Sequence, residues 1–473
     1  MPLAEYGFMV DVTLPLLNVG RRERPVYIAA ELVDILPGQP LKTKLTPAQQ
    51  DAMIGFACRA PPENAQSITT SARKLLGLDS NPLLPQFGIT VDKNLVTVLG
   101  RELLPPKLSY TGGTPVEPKD GGWLMKGVKV AKQGRRIEKW NYLYFAGTNS
   151  GVAKQTASGF ANFMAQRMGI NINVKPISPN GVACQLDENA IRTTMANLAK
   201  LGPPQLIVVF LPDKDSSRYN LIKELGDCVY GIHTVCAATR IHIEQGQAGF
   251  FANVGLKVNL KFGGINHKLI SDNGLISKGK TMVVGYDVTH PTNLASGAGE
   301  NAPSIAGLVS SIDSHLSQWP AYVWNMKGKT EMLNKQLVPA FKHMLQLWQK
   351  NPENKGLPDK LVIFRDGVSE GQFNQVNAEE VPFIRQACRE IYGAKSLPRI
   401  TLVVSVKRHQ TRFYPTDQNH THHKSKSPKE GTIVDCGVTS VRYWDFFLQA
   451  HASMQGKCPV LFQGFPQATM CLC

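Results

Sequence analysis

Cysteine is scarce in this chain. There are nine in 473 residues and no CxxC spacing among them, which excludes a disulfide scaffold and a cysteine-built zinc cage and points to free thiols in a reducing compartment. No stretch approaches the roughly 18–20 apolar residues that span a bilayer, so no membrane partner is expected. The opening MPLAEYGFMVDVTLPLL lacks the basic start and continuous apolar core of a signal peptide. The expected location is cytoplasmic, with the nucleus open. Gly112-Gly113 and Gly263-Gly264 mark turns, and neither belongs to a Rossmann or Walker fingerprint. Acidic residues are outnumbered, 36 against 52 basic, leaving a net charge of +16 that favours a polyanionic partner over a merely solvated basic surface. A 42% hydrophobic content over this length is enough for two or three folded domains.

The first hundred residues form an irregular lead-in. VYIAAELVDI is strand-like, TPAQQDAMIGFACRA is helical, and SITTSARKLLGL is a second helix opened by a Ser/Thr cap, with Pro61-Pro62 between the two helices. From about residue 101 strands alternate with helices: NYLYFAG, then GVAKQTASGFANFMAQRMG; INVKPI, then ENAIRTTMANLAKLG; LIVVFLP, then SRYNLIKELGDCV and IHTVCA. That order predicts βαβ units around a mostly parallel sheet, with LIVVFLP as its central strand. A second set follows. TMVVGYDVTH, SIAGLVSSID and AYVWNMKG form a strand meander, TEMLNKQLVPAFKHMLQLWQKN a helix kinked at Pro339, then KLVIFRDG, EEVPFIRQACREIYG, RITLVVSVKR and SVRYWDFFLQAH. Three clustered strands followed by alternation is the order of an RNase H-like α/β fold, against a generic α/β sheet as the alternative.

Two apolar runs each end in an aspartate, Asp287 and Asp366. Parallel neighbouring strands would set these carboxylates side by side at the ends where open α/β sheets bind ligands, and several carboxylates on Mg²⁺ suit phosphoryl chemistry. The alternative stays open on the residues alone, because Asp366-Gly367 is a favoured turn dipeptide and Asp287 could cap the THP turn. Glu331, near the start of an expected helix, reads as ordinary surface. Lys257 and Lys261 share a helix face, and Tyr219 and Lys223 repeat that spacing. They suit a terminal phosphate and a base stack, although lysines beside an apolar stripe are also commonplace. Lys407, Arg408, His409 and Arg412 follow a strand and suit nucleic-acid backbone contacts. The THHK at 421–424 fits no zinc cage by spacing, and no metal is expected there.

These residues carry a family likeness. LIVVFLP, SRYNLIKELGD, FANVGLKVNLKFGGIN, GYDVTHP, PSIAGLVSSID, IFRDGVSEGQF, VVSVKRHQTRFYP, GTIVD and DFFLQAHASMQG run in order, and the chain resembles the C-terminal MID–PIWI lobe of a eukaryotic Argonaute, with features similar to filamentous-fungal members. The resemblance implies the end of a PAZ domain and a linker over 1–100, a Rossmann-like MID domain over 101–265, and an RNase H-like PIWI domain over 266–456, C-terminally incomplete. After Gly456 the tail, 457–473, leaves the family pattern.

The resemblance further implies that Tyr219, Lys223, Lys257 and Lys261 hold the 5′-monophosphate of a small guide RNA. Val235 stands where a glutamine completes the family's pocket, and Thr234 or Cys236 could supply the polar contact. Asp287, Glu331 and Asp366 match the slicer's catalytic carboxylates, with Asp287 and Asp366 on Mg²⁺ (or Mn²⁺). The fourth ligand belongs to a later segment, so the chain is expected to bind RNA with little or no slicing. The implied function is guide binding and pairing with complementary target RNA in RNA silencing, the full-length parent being a guide-directed endonuclease. A non-catalytic RNA-binding scaffold and another RNase H-fold nuclease are the alternatives.

Overall fold

The computed structural model describes residues 11, 13–21, 23–34, 36–38, 45–123, 125, 127, 129–200, 202–213, 215–238, 248–270, 274–276, 280–291, 302–407, 409–441, 444–451 and 460–464. They belong to two compact units, 1–59 and 60–473. In the first unit, β1 (Leu16–Asn18) and β2 (Tyr27–Ala29) form an antiparallel pair. Helix α1 (Pro47–Ala57) opens on a reciprocal cap in which Thr46 Oγ1 accepts from the Gln49 N–H and the Gln49 side chain accepts from the Thr46 N–H.

The second unit begins with α2 (Pro61–Ser67), which runs on through a π turn to Leu75. The helix expected from Ser67 therefore starts six residues earlier. Proline suits a first helical position, where its missing N–H has no partner to lose. Two short strands follow, β3 (Arg101–Glu102) and β4 (Leu108–Ser109).

A four-stranded parallel sheet then forms from β5 (Trp140–Phe145), β6 (Val182–Cys184), β7 (Leu206–Leu211) and β8 (His233–Ala238), in the order β6-β5-β7-β8. Every residue of β7 is buried, as a central strand covered on both faces requires. Val208 and Phe210 pack with Phe160 from α3 (Ser150–Phe163), Met164 from the π turn that continues it, and Val258 from α6 (Ala248–Lys261). Ile207 and Val209 face Ile191, Met195 and Leu221 from α4 (Glu188–Lys200) and α5 (Ser216–Lys223). The expected strand at INVKPI is a correction. Ile172 makes one bridge to Ile137, and the strand is Val182–Cys184 instead. Pro176 cannot donate to a ladder, whereas Gly181, at φ +67, lets the chain pass where a Cβ would strike the Tyr142 ring.

Strand β9 (Lys268–Leu269) pairs with β4, and the chain enters a nine-stranded sheet. Its strands are β10 (Thr281–Thr289), β11 (Ser304–Ser310), β12 (Ala321–Met326), β13 (Lys360–Asp366), β14 (Arg399–Val406), β15 (Thr432–Val434), β16 (Trp444–Leu448), β17 (Val460–Gly464) and β3, in the order β12-β11-β10-β13-β14-β17-β16-β15-β3. The meander is antiparallel, and β10-β13-β14 are parallel. Helices α7 (Leu337–Lys350) and α8 (Phe373–Tyr392) cover one face, placing Phe341, Met344, Trp348 and Ile384 against Val284, Ile363 and Val404.

Three expectations change here. Helix α7 begins at Leu337, not Thr330, so Glu331 lies on a loop, and Pro339 falls in the first turn, where no kink is needed. Arg101–Glu102, which the sequence did not mark as a strand, pairs with β15 at the edge of the large sheet. Val460–Gly464 forms a strand between β14 and β16, where the sequence offered no element. Among the described residues no helix is long and apolar enough to cross a membrane.

Candidate functional site

Parallel pairing matches Tyr286 with Arg365. One step further along come Asp287, two residues before the end of β10, and Asp366, the last residue of β13, so the two carboxylates belong to neighbouring parallel strands. Gly367 follows at φ +91, and a Cβ there would stand 2.7 Å from Asp287 Oδ1 and 3.4 Å from Glu331 Oε1. The loop carrying Glu331 therefore brings its carboxylate to the same corner as Asp287, and a side chain at 367 would crowd the Asp287 oxygen.

Two groups hold Glu331 in place. His290 Nε2 lies 2.8 Å from Glu331 Oε2, and its Nδ1 lies 2.8 Å from Ser304 Oγ. Because Ser304 Oγ accepts from the Lys329 N–H at 3.0 Å, its own proton is free to go to Nδ1. That leaves the imidazole proton on Nε2, donated to Glu331. On the other side Arg365, fully buried, donates to the Glu331 carbonyl at 2.8 Å and to both oxygens of buried Glu380. It also donates to the Asp366 carbonyl. Glu380 accepts further from Tyr286 Oη at 3.0 Å and from the Leu333 N–H at 2.9 Å. Burial pushes the Tyr286 phenol well above its usual range, with the Glu380 charge adding, so it remains a donor.

The oxygens fit a hard divalent cation. Glu331 Oε1 is buried and makes no hydrogen bond, although Arg365 NH2 is 3.1 Å away. The Asp287 side chain accepts only from the adjacent Val288 N–H in the described contacts. All three donors are carboxylate oxygens, the set Mg²⁺ prefers. They are not drawn into a tight mutual cluster, and Asp366 is held by the Lys407 ammonium. Lys407, expected on an RNA backbone, is thus placed at the carboxylate corner. His409 packs edge-on to Phe447 at 5.2 Å, and Arg412 folds onto the His409 and Thr411 carbonyls. Arg408 lies outside the described residues.

The second cluster sits on α5, β8 and α6. Lys223 Nζ donates to the Thr234 carbonyl at 2.6 Å and to its hydroxyl at 2.9 Å. It also lies 5.7 Å from the centroid of the Tyr219 ring, whose side chain is exposed. Burial pulls the Lys223 ammonium below its usual range, and the charges of Lys261 and Lys257 pull it further. Lys261 and Lys257 are therefore close enough to act on Lys223, while Asp227 opposes them. Side chains alternate along β8. Thr234 faces Lys223, whereas Val235 packs with Trp140 and Val258 in the core and takes no part in the cluster. Burial pushes the Cys236 thiol up to about 11, leaving it neutral.

Sequence reasoning missed Arg365, Glu380, His290 and Ser304. An arginine inside an otherwise apolar strand was the available signal for the first. Nothing in the spacing pointed to a glutamate fourteen positions beyond Asp366 or to a serine on β11.

The Piwi domain family matches residues 206–460, spanning parts of both sheets, and the Argonaute linker 2 domain family matches 63–110. Protein argonaute 18 of Oryza sativa subsp. japonica is 31% identical, over 94% of this chain and 41% of its own length. Protein argonaute 1B of the same plant is 30% identical, over 96% and 42%. The chain thus spans about two-fifths of the length of these relatives. The solved MID-PIWI domains of N. crassa QDE-2 AGO are 49% identical, with a TM-score of 0.52, over 59% of this chain and 76% of that one. Kluyveromyces polysporus Argonaute, solved with a guide RNA, gives a TM-score of 0.76 at 24% identity, over 98% of this chain and 54% of that one.

Proposed function

The chain belongs to the Argonaute family, and from its lysine cluster we propose that it anchors the 5′-monophosphate of a small guide RNA and pairs the guide with complementary target RNA in RNA silencing. One observation carries this reading: Lys223, held by Thr234, is destabilised as a cation first by burial and then by the repulsion of Lys261 and Lys257, with Cys236 and Asp227 opposing. A phosphate monoester of about −1.5 to −2 charge would relieve that repulsion. Thr234 orients Lys223, and the exposed Tyr219 ring beside it offers a surface for the first base. At the other site Asp287 and Asp366 would hold Mg²⁺ (or Mn²⁺), with Glu331 completing the oxygen set. Bound there, the metal supplies charge neutralisation and an acidified water for cutting a phosphodiester. His290 and Arg365 keep Glu331 at the corner, and Gly367 keeps the corner open. The reading that competes, a general RNA-binding scaffold, lacks any need for a terminal phosphate.

Binding of 5′-phosphorylated and 5′-hydroxyl RNAs of one sequence, at fixed salt, separates the two readings. The phosphorylated RNA should bind at least about tenfold tighter, since even one charge-assisted contact is worth about 1.5–3 kcal/mol. Lys257→Ala with Lys261→Ala should erase most of the difference. Equal affinity of the intact protein for both RNAs would overturn the anchor.

A further inference from the structure

We propose a Zn²⁺ site formed by Asp120, His422 and His423, outside both clusters described above. Adjacent histidines gave no cage by spacing, because the third donor comes from some three hundred positions away. In the fold, Asp120 Oδ1 lies 3.9 Å from His422 Nε2 and 3.8 Å from His423 Nδ1. All three donor atoms fall within 4.8 Å of one another. The two rings meet with centroids 4.7 Å apart, although neighbouring side chains on an extended chain would point to opposite sides.

Backbone geometry on both sides holds the donors together. Asp120 and Gly121 both have positive φ, +53 and +69, inside a two-residue turn closed by reciprocal Lys119 and Gly122 hydrogen bonds. Aspartate tolerates that conformation, which fixes where its carboxylate leaves the turn. On the histidine side, the His422 N–H donates to the Ser427 carbonyl and the Lys426 N–H to the His422 carbonyl, so the loop is closed on itself. His422 is only 8% exposed.

Its Nδ1 lies 3.0 Å from Ser425 Oγ and accepts from the Ser425 N–H at 3.2 Å. Nε2 is left facing a carboxylate too distant for a hydrogen bond. For Nε2 to act as a ligand the proton must move to Nδ1, which gives up the bond from the Ser425 N–H and donates to Ser425 Oγ instead.

The donor set selects the ion. Two imidazoles and one carboxylate suit Zn²⁺ and poorly suit Mg²⁺, which prefers oxygen. Tetrahedral Zn²⁺ with bonds of about 2.0–2.2 Å holds its donors roughly 3.3 Å apart. The exposed Asp120 and His423 side chains can make that small closure by rotation, with water in the fourth position. The ion would fasten the turn at 119–122 to the loop between β14 and β15. His420 on that loop already meets Glu102 of β3 at 2.7 Å. Its role is a staple between two remote stretches, not catalysis.

Titrating the metal-free protein with Co²⁺ in excess Mg²⁺ should give the visible band of four-coordinate cobalt at one equivalent, and Zn²⁺ should bleach it. His423→Ala and Asp120→Asn, both at exposed side chains, should each weaken binding at least about tenfold. Zn²⁺ should raise the melting temperature of the intact protein and not of the double variant. Asp287→Ala should retain the band, which assigns it away from the carboxylate corner. No band in the intact protein, or an unaltered band and thermal shift in the folded double variant, would overturn the site.

Discussion

Arg365 shows how much of a candidate catalytic corner rests on a residue that touches no substrate. Its guanidinium is fully buried and shares both oxygens of Glu380 while reaching the Glu331 and Asp366 carbonyls. Burial opposes its charge, but the Glu380 carboxylate beside it more than restores it. Removing the cation alone should therefore be costly, because Glu380 would remain buried and uncompensated. Arg365→Met is expected to lose about 3–5 kcal/mol of unfolding free energy. Glu380→Gln, which removes the buried charge and keeps one oxygen to accept from the Leu333 N–H, should recover at least about 1 kcal/mol of that loss in the double variant. Urea denaturation of the four proteins of the cycle tests this. Strict additivity of the two single losses would show that the pair is not coupled.

The same economy operates on whole elements, where α6 carries two of the pocket lysines and must end in one place. Its buried Asn259 accepts from the Gly134 N–H and donates to the Lys132 carbonyl and to Asn266. The turn that follows wraps so closely that a Cβ on Gly264 would lie 2.2 Å from Asn259 Oδ1, whereas Gly263 has open space but φ +81. Gly264→Ala should push Asn259 and the helix end aside, costing about 1–3 kcal/mol and reducing the preference for 5′-phosphorylated RNA. Gly263→Ala should cost about 1–2 kcal/mol of backbone strain and leave the preference intact. Melts and paired binding curves would show it, and equal preference in the two variants would detach Asn259 from the pocket.

Sequence alone could see that these glycines make a turn, but not which one a side chain fills. Strands were legible where apolar runs were unbroken, as in LIVVFLP and the two runs ending in aspartate. INVKPI misled because its apolar spacing was right while Pro176 removed a donor. Glu331 was read onto a helix because Met332, Leu333 and Leu337 have helical spacing, yet Met332 and Leu333 are buried from a loop tied down by Glu380. Partners supplied from remote strands, such as Ser304, leave no periodic trace.

At the scale of the molecule the two sheets are joined through α6 and the turn that follows it. Gln318, on the loop after β11, donates to the Leu260 and Gly264 carbonyls at 3.1 Å each, and Lys132 pairs with Glu353. Anchor and carboxylate corner thus belong to one unit, and a bound RNA would run from one toward the other over a protein of net charge +16. Such binding should weaken linearly in log–log plots against salt, with a slope near −0.7 per phosphate neutralised on a single strand. Gathered on one terminal phosphate, the three lysines give about −0.7 between them. Lys407 adds a conditional increment. Its ammonium is held by Asp366, where it is poorly placed to neutralise RNA. With Mg²⁺ competing for that carboxylate, Lys407 is released to a phosphate. Lys407→Ala should therefore flatten the slope by about 0.7 in Mg²⁺ and change it little in EDTA, for all RNA sequences alike. A flattening of the same size in both conditions would mean that Lys407 reaches the backbone independently of Asp366, and none in either would remove it from the RNA path.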